Sequence, residues 1–160
     1  EETVALSSSR TVPVVLLMTA LFIGCDQPES SSAVSDSRSD DSIVLLNVTS
    51  DATDNPQSVD MAMKLAGFSL DEGRKVAMFF NVKGVTFPTK DFDAEFAFQD
   101  NEPLMAQLNG LIDRGVEVHV CPVCMKALGV EDSDIIEGAQ VTTRPKLFAN
   151  IGPDTAVLTY

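Results

Sequence analysis

Basic residues are scarce in this chain: 11 Lys plus Arg stand against 24 Asp plus Glu, a formal net charge of -13. Phosphate binding needs a basic surface, so the balance argues against a nucleic-acid partner. It argues equally against adsorption to anionic lipid. Acidity on this scale bears on solubility and association, not on fold. Cysteine is also sparse. Cys25, Cys121 and Cys124 are an odd number without regular spacing, which is not a disulfide framework. One histidine, His119, could join Cys121 and Cys124 around zinc. That makes three ligands with no second CxxC or His cluster, and no metal is expected. There is no GxGxxG, no P-loop and no internal repeat, so no cofactor is expected either. The hydrophobic fraction of 44% is ordinary for a domain that buries a core, and 160 residues suit one domain with a tail.

No apolar run reaches the roughly 20 residues that span a bilayer as a helix. The longest, Val12 to Ile23, follows Arg10 and breaks only at Pro13 and Thr19. It has the length of a secretory signal h-region. It ends in Leu21-Phe22-Ile23-Gly24-Cys25-Asp26, which resembles a bacterial lipobox, with Phe22 where an aliphatic residue is usual. Cleavage is then expected before Cys25. Residues 1–24 would be a signal peptide and Cys25 the lipidation site. Acyl chains on that cysteine would hold the protein to a membrane, the only membrane contact expected. Asp26 resembles the inner-membrane retention signal, so the expected location is the periplasmic side of the inner membrane. The alternatives are an ordinary signal peptide, or a cytoplasmic protein with a disordered tail. Residues 25–42 carry the cysteine and a stretch rich in Ser and Asp that cannot bury enough surface to offset its ordering entropy.

From residue 43 on, strands alternate with helices. Ile43 to Val48 is an apolar run broken only by Asn47, as for a strand buried on both faces. Asn55-Pro56 supplies an N-cap and a Pro at the first helical position, predicting a helix to about 70 with Val59, Met63, Ala66 and Leu70 on one face. Val76 to Phe80 is the second strand. A long loop, Asn81 to about Gln99, follows with Gly84, Pro88 and four phenylalanines. Its rings are expected to pack in the core or against another copy, rather than to form a lid. Asn101-Glu102-Pro103 opens a helix that Gly115 stops. Val116 to Val120 is the third strand. A short helix to Leu128, a strand near 140–142, a helix over 145–150 and a strand over 156–158 complete the domain. The pattern predicts an α/β fold: a mainly parallel five-stranded sheet between helical layers. Ligands of such sheets bind at the carboxyl ends of the strands. Three loops converge there, with Ser50 and Asn55, with Asn81, Gly84 and Val85, and with Cys121 to Cys124.

Cys121-Pro122-Val123-Cys124 stands at a strand end and opens a helix. A helix N-terminus carries free N–H groups and partial positive charge, which favour thiolate over thiol. Cys121 is then the natural nucleophile. Cys124, one turn on, could resolve a mixed disulfide or a persulfide. Pro122 sets the first helical φ and lacks an N–H. His119 shares the strand face of Cys121 and could tune the thiol. Other uses stay open: buried cysteines as small hydrophobes, or a disulfide staple. This is not the thioredoxin arrangement, in which CxxC follows an early strand and a cis-proline loop comes later.

The segments Ala77-Met78-Phe79-Phe80-Asn81-Val82-Lys83-Gly84-Val85 and Leu111-Ile112-Asp113-Arg114-Gly115-Val116-Glu117-Val118-His119-Val120-Cys121, with Gly129-Val130 and the last strand, resemble the DsrE/DsrF/TusD-like family. The resemblance covers 43–160. It implies a three-layer α/β/α fold and homo-oligomers, trimers or hexamers. It also implies a persulfide carried on the cysteine after the third strand, here Cys121, and exchanged with a sulfur donor or acceptor protein. Relay members work in the cytoplasm and do without a second cysteine three residues on; Cys124 and the N-terminal segment depart from that pattern. The function expected is sulfur handling or thiol redox through Cys121, possible sulfurtransferase activity included. The alternative is a non-catalytic oligomeric binding module with Cys121 and Cys124 as a structural disulfide.

Overall fold

The computed structural model describes residues 42–160. The expectations for residues 1–24 and for Cys25 and the linker therefore lie outside the described residues. The elements run β1 (Ile43–Val48), α1 (Pro56–Asp71), β2 (Lys75–Phe80), α2 (Leu104–Asp113), β3 (Glu117–Val120), α3 (Pro122–Leu128), β4 (Ala139–Val141), α4 (Arg144–Ala149) and β5 (Thr155–Thr159). All five strands pair in parallel, in the order β4-β3-β2-β1-β5. The α/β class and the five-stranded sheet are those expected from the sequence.

The path from β1 to β4 moves one way across the sheet, and the step from β4 to β5 returns past β1. Right-handed crossovers then place α1 and α2 on one face and α4 on the other. The α1–α2 face holds the core. Leu46, Val48, Met78, Phe80, Val118 and Val120 project into it from the strands, and Val59, Ala62, Met63, Ala66, Leu104 and Leu108 from the helices. Burying each of the larger of these side chains, Val, Leu, Met or Phe, contributes about 1.5–3 kcal/mol before the entropy of ordering is counted. One charge lies in this layer. Asp60 on α1 is 1% exposed. It meets the Lys64 ammonium at 2.7 Å and accepts from Asn101 at 3.1 Å and from Gln107 of α2 at 3.0 Å. A buried carboxylate is tolerable only when so partnered, and here it ties α1 to α2.

Local signals acted as their chemistry requires. Asn55 caps α1, its side chain accepting from the Ser58 amide at 3.3 Å, with Pro56 in the first turn. Gly73, Gly115 and Gly129 each follow a helix with positive φ. The helix anticipated from Asn101 begins instead at Leu104, with Pro103 as the extended residue before it. The long loop also differs in detail, because a 3₁₀ turn occupies Val82–Thr86. Three of its four phenylalanines, Phe87, Phe92 and Phe96, pack in or against the core, as expected. Phe87 is fully buried between Phe80 and Phe92, centroids at 5.8 and 4.9 Å, and Phe96 continues the row at 5.7 Å. Among the described residues no helix is long and apolar enough to cross a membrane.

Gly84 sits where this turn passes beneath β1. A Cβ there would collide with the Val48 carbonyl oxygen and lie 3.1 Å from its carbon. Backbone cannot yield as a side-chain tip can. Gly84→Ala is expected to destabilise the fold by about 1–3 kcal/mol. The check is a lower urea midpoint at unchanged slope.

Candidate functional site: a thiol pair at the carboxyl edge of the sheet

Beyond the last residue of β3 the ladder continues for one more bond. The Cys121 amide donates to the Phe80 carbonyl at 2.9 Å, which holds Cys121 extended beside β2. Its own carbonyl accepts from Met125 at 3.0 Å and starts α3. Pro122 occupies the first turn, where no N–H is required. One turn later, Cys124 returns to the same place. Both thiols are free and partly buried. Burial pushes the Cys124 thiol above the ordinary value of 9.0, and its hydrogen bond to Cys121 pushes it further. The Val82 amide, which donates to Cys124 Sγ at 3.1 Å, works the other way.

Val82 is the unexpected member. Its φ is 50°, the left-handed region that a β-branched residue rarely enters. Such a conformation costs on the order of 1–3 kcal/mol and persists only where its surroundings impose it. They do so here. Asn81 donates its amide to Val48 O at 3.0 Å and its side chain to Asn47. Gly84 N–H closes on Asn81 O at 2.8 Å. The Thr86 hydroxyl reaches Asp51 at 3.3 Å, and Lys83 pairs with Asp54 at 2.8 Å. Asp51 is itself a hub. Slight burial raises its carboxyl, but hydrogen bonds from Thr53, from the Asp54 amide and from Thr86 outweigh this and hold it below the usual 3.8. Lys83 is raised by its bond to Asp54. The loop after β1 and the turn after β2 are thereby joined beside the thiols.

The residues anticipated as pocket members divide accordingly. Asn81 lies next to Cys121 across β2 and β3, since Phe80 pairs with Val120. Pro122 is at the site. Ser50 bonds Ser58 at 3.2 Å and, with the cap at Asn55, braces the loop. Gly84 lets the turn approach β1. Val85 is fully buried in the core and anchors the turn from below. His119 belongs to a different cluster. It is 1% exposed, with Nδ1 3.0 Å from the Thr142 hydroxyl and Nε2 3.1 Å from Asn150 and 3.2 Å from Glu117. Both ring nitrogens are engaged on the α4 side of the sheet, so His119 ties the end of α4 to β3. Among the described residues, no group of three or more His, Cys, Asp or Glu is placed to hold a metal ion.

A parallel α/β domain that brings two free thiols to the carboxyl end of its third strand defines a class of protein, the thiol-bearing three-layer α/β domains. Within it, this chain belongs to the DsrE/DsrF-like family, whose model matches residues 43–160. It is 30% identical over 99 residues to the uncharacterized protein MJ0989 of Methanocaldococcus jannaschii, spanning 62% of this chain and 83% of that protein. It is 31% identical over 101 residues to the uncharacterized protein MK0008 of Methanopyrus kandleri, spanning 62% and 79%. Among solved structures it resembles the ychN protein from E. coli, with TM-score 0.59 and 19% identity over 75% of this chain and 99% of that one. MTH1491 of Methanobacterium thermoautotrophicum, a protein of unknown function, gives TM-score 0.58 and 16% identity over 75% and 100%. At these identities the structural likeness is one of fold.

Removing the imidazole should leave Thr142 and Asn150 short of a buried partner without touching the thiols. His119→Ala is expected to cost about 1–3 kcal/mol of stability. The rates of cysteine alkylation should be those of the parent. A large change in Cys121 reactivity with intact folding would place His119 in the thiol site after all.

Proposed function

We propose that this protein handles sulfane sulfur through Cys121, with Cys124 as the resolving thiol. The observation that carries this is the pair itself: two free, partly buried thiols three residues apart at the carboxyl edge, one of them accepting from a backbone N–H. Membership in a family generally associated with sulfur relay supports it.

The chemistry balances as follows. The Cys121 thiolate attacks the outer sulfur of a donor persulfide or polysulfide. The donor S–S bond breaks, and the donor leaves as a thiolate or a shortened polysulfide. Cys121 then carries a persulfide, which an acceptor thiolate can take. Without an acceptor, the Cys124 thiolate can attack Cys121 Sγ, expel hydrosulfide and close a disulfide. Two thiols are oxidised as sulfane sulfur is reduced to sulfide, and an external dithiol must reopen the pair. Cys124 keeps its proton to higher pH than an ordinary thiol, which favours carriage over closure near neutrality.

The same reading includes a lipid anchor at Cys25, an inner-membrane periplasmic location and a homo-oligomer. The lipobox-like segment supports the first two. Exposed apolar residues support the third: Phe148 at 60%, Ile151 at 43%, Val157 at 52% and Leu158 at 38% on or beside α4 and the edge strand β5. An apolar surface of this kind is more usual at a protein contact than on a free monomer. The partner in sulfur exchange is a thiol or persulfide protein.

The test uses the reduced full chain carrying Cys25→Ser, incubated with polysulfide and read by peptide mass spectrometry. One added sulfur is expected on Cys121 and none in Cys121→Ser. Cys124→Ser should fold normally and hold its adduct longer, since closure is removed. Absence of any adduct on Cys121 would sink the carrier reading and favour a binding module. A second measurement follows from the raised Cys124 thiol. In a Cys121→Ala chain the hydrogen bond and charge of Cys121 are gone, so the Cys124 alkylation profile should shift to lower pH than in the parent. No shift would break the proposed coupling of the two sulfurs.

A further inference from the structure

Val82 is the residue at the thiols that the sulfur chemistry above leaves without a role. Its side chain is 56% exposed, so burial does not account for the strained φ of 50°. The backbone does. The peptide plane between Asn81 and Val82 is set by the extended Asn81, φ -146° and ψ -177°, whose own amide is tied to Val48 O. That plane aims the Val82 N–H at Cys124 Sγ. From there the chain must turn so that Gly84 passes under Val48 and Thr86 reaches Asp51. Positive φ at Val82 satisfies both demands.

We propose that the Val82 amide is a thiolate-stabilising donor to Cys124, and that the strained turn Val82–Thr86 is maintained to hold it on that sulfur during disulfide closure. The inference rests on the reading of Cys124 as the resolving thiol. Before Cys124 can attack Cys121 Sγ it must lose its proton. Burial and the neighbouring Cys121 oppose that loss, while the Val82 N–H favours the charged sulfur, in agreement with the influences on this thiol. When a small disulfide RSSR has placed RS on Cys121, the Cys124 thiolate attacks Cys121 Sγ. The Cys121 Sγ–SR bond breaks, and RS⁻ departs to take a proton from water. The Val82 N–H stabilises the thiolate that enters this step and pre-orients the sulfur.

The experiment replaces the amide between Asn81 and Val82 by an ester, which removes the N–H and keeps the side chain and chain path. The reduced full chain with Cys25→Ser is mixed with oxidised glutathione, quenched with acid at intervals and analysed by mass spectrometry. The mixed disulfide on Cys121 is expected to form at the parent's rate. Closure to Cys121–Cys124 is expected to slow by roughly threefold to tenfold, because a charge-assisted hydrogen bond is lost while the less acidic thiolate becomes somewhat more nucleophilic. The Cys124 alkylation profile should move to higher pH in the same chain, which a purely structural role of the amide would not produce. Val82→Gly keeps the N–H and accepts φ 50° freely, so its closure should stay within about twofold of the parent while its urea midpoint rises. Should the ester chain not fold, Thr86→Val provides the check. It removes the hydroxyl's bonds to Asp51 and to the Lys83 carbonyl within the turn, and should slow closure with mixed-disulfide formation unchanged. Parent-like closure in the ester chain, or in Thr86→Val where that is the chain tested, overturns the role of Val82 alone. A parent that stops at the mixed disulfide overturns the reading of Cys124 as resolving thiol, and the role of Val82 with it.

Discussion

The architecture hangs on a single device repeated along the carboxyl edge, a backbone hydrogen bond one residue past the end of a strand. Tyr160 donates to Asn47 O, Asn81 to Val48 O, Cys121 to Phe80 O and Thr142 to Val120 O, each at 2.9–3.0 Å. In a parallel sheet every chain leaves at the same edge, and these bonds fix the direction in which each one leaves. They put Asn81 beside Cys121 and Thr142 over His119. They also make the first peptide of each loop as rigid as the sheet. A site needs side chains held to within a fraction of an ångström, and rigid exits supply that where loops alone would not.

Rigid exits also create the conflict at Val82. One end of the 82–86 turn is bound to β1 and β2, the other to the core through Val85 and Phe87, both fully buried. The strain is spread over contacts that would all have to be lost to relieve it. The anchoring of this turn at both ends, not any local preference of valine, sets its conformation. The site is therefore built from the core upward, with the apolar row from Phe80 to Phe96 as its floor.

The two faces of the sheet do different work. The α1–α2 face holds most of the apolar burial and the satisfied Asp60. The opposite face is thinner. A short α4 leans on β3 through the His119 cluster, and β5 leaves Val157 half-exposed. His119 shows how sequence proximity misleads. Two positions from Cys121, it looks like a partner for the thiol. Its nitrogens are instead taken by Thr142 and Asn150, 23 and 31 residues further along the chain.

The strands were legible because parallel strands buried on both faces read as unbroken apolar runs, as Ile43–Val48 and Val76–Phe80 do. The helices around them were legible through Asn55-Pro56, Pro122 and the terminal glycines, each of which acts through its own backbone chemistry. The thiol pair was legible from its place at a strand end before a helix. Sequence by itself thus determined the fold class, the order of the elements and the position of both cysteines, since all three rest on local patterns. The tertiary structure alone decided the rest. Valine carries no signal for positive φ, so Val82 could be found only where distant contacts force its backbone. Val85 became floor rather than pocket for the same reason, because the direction of a side chain in a long loop is set by what it packs against and not by its neighbours in the chain.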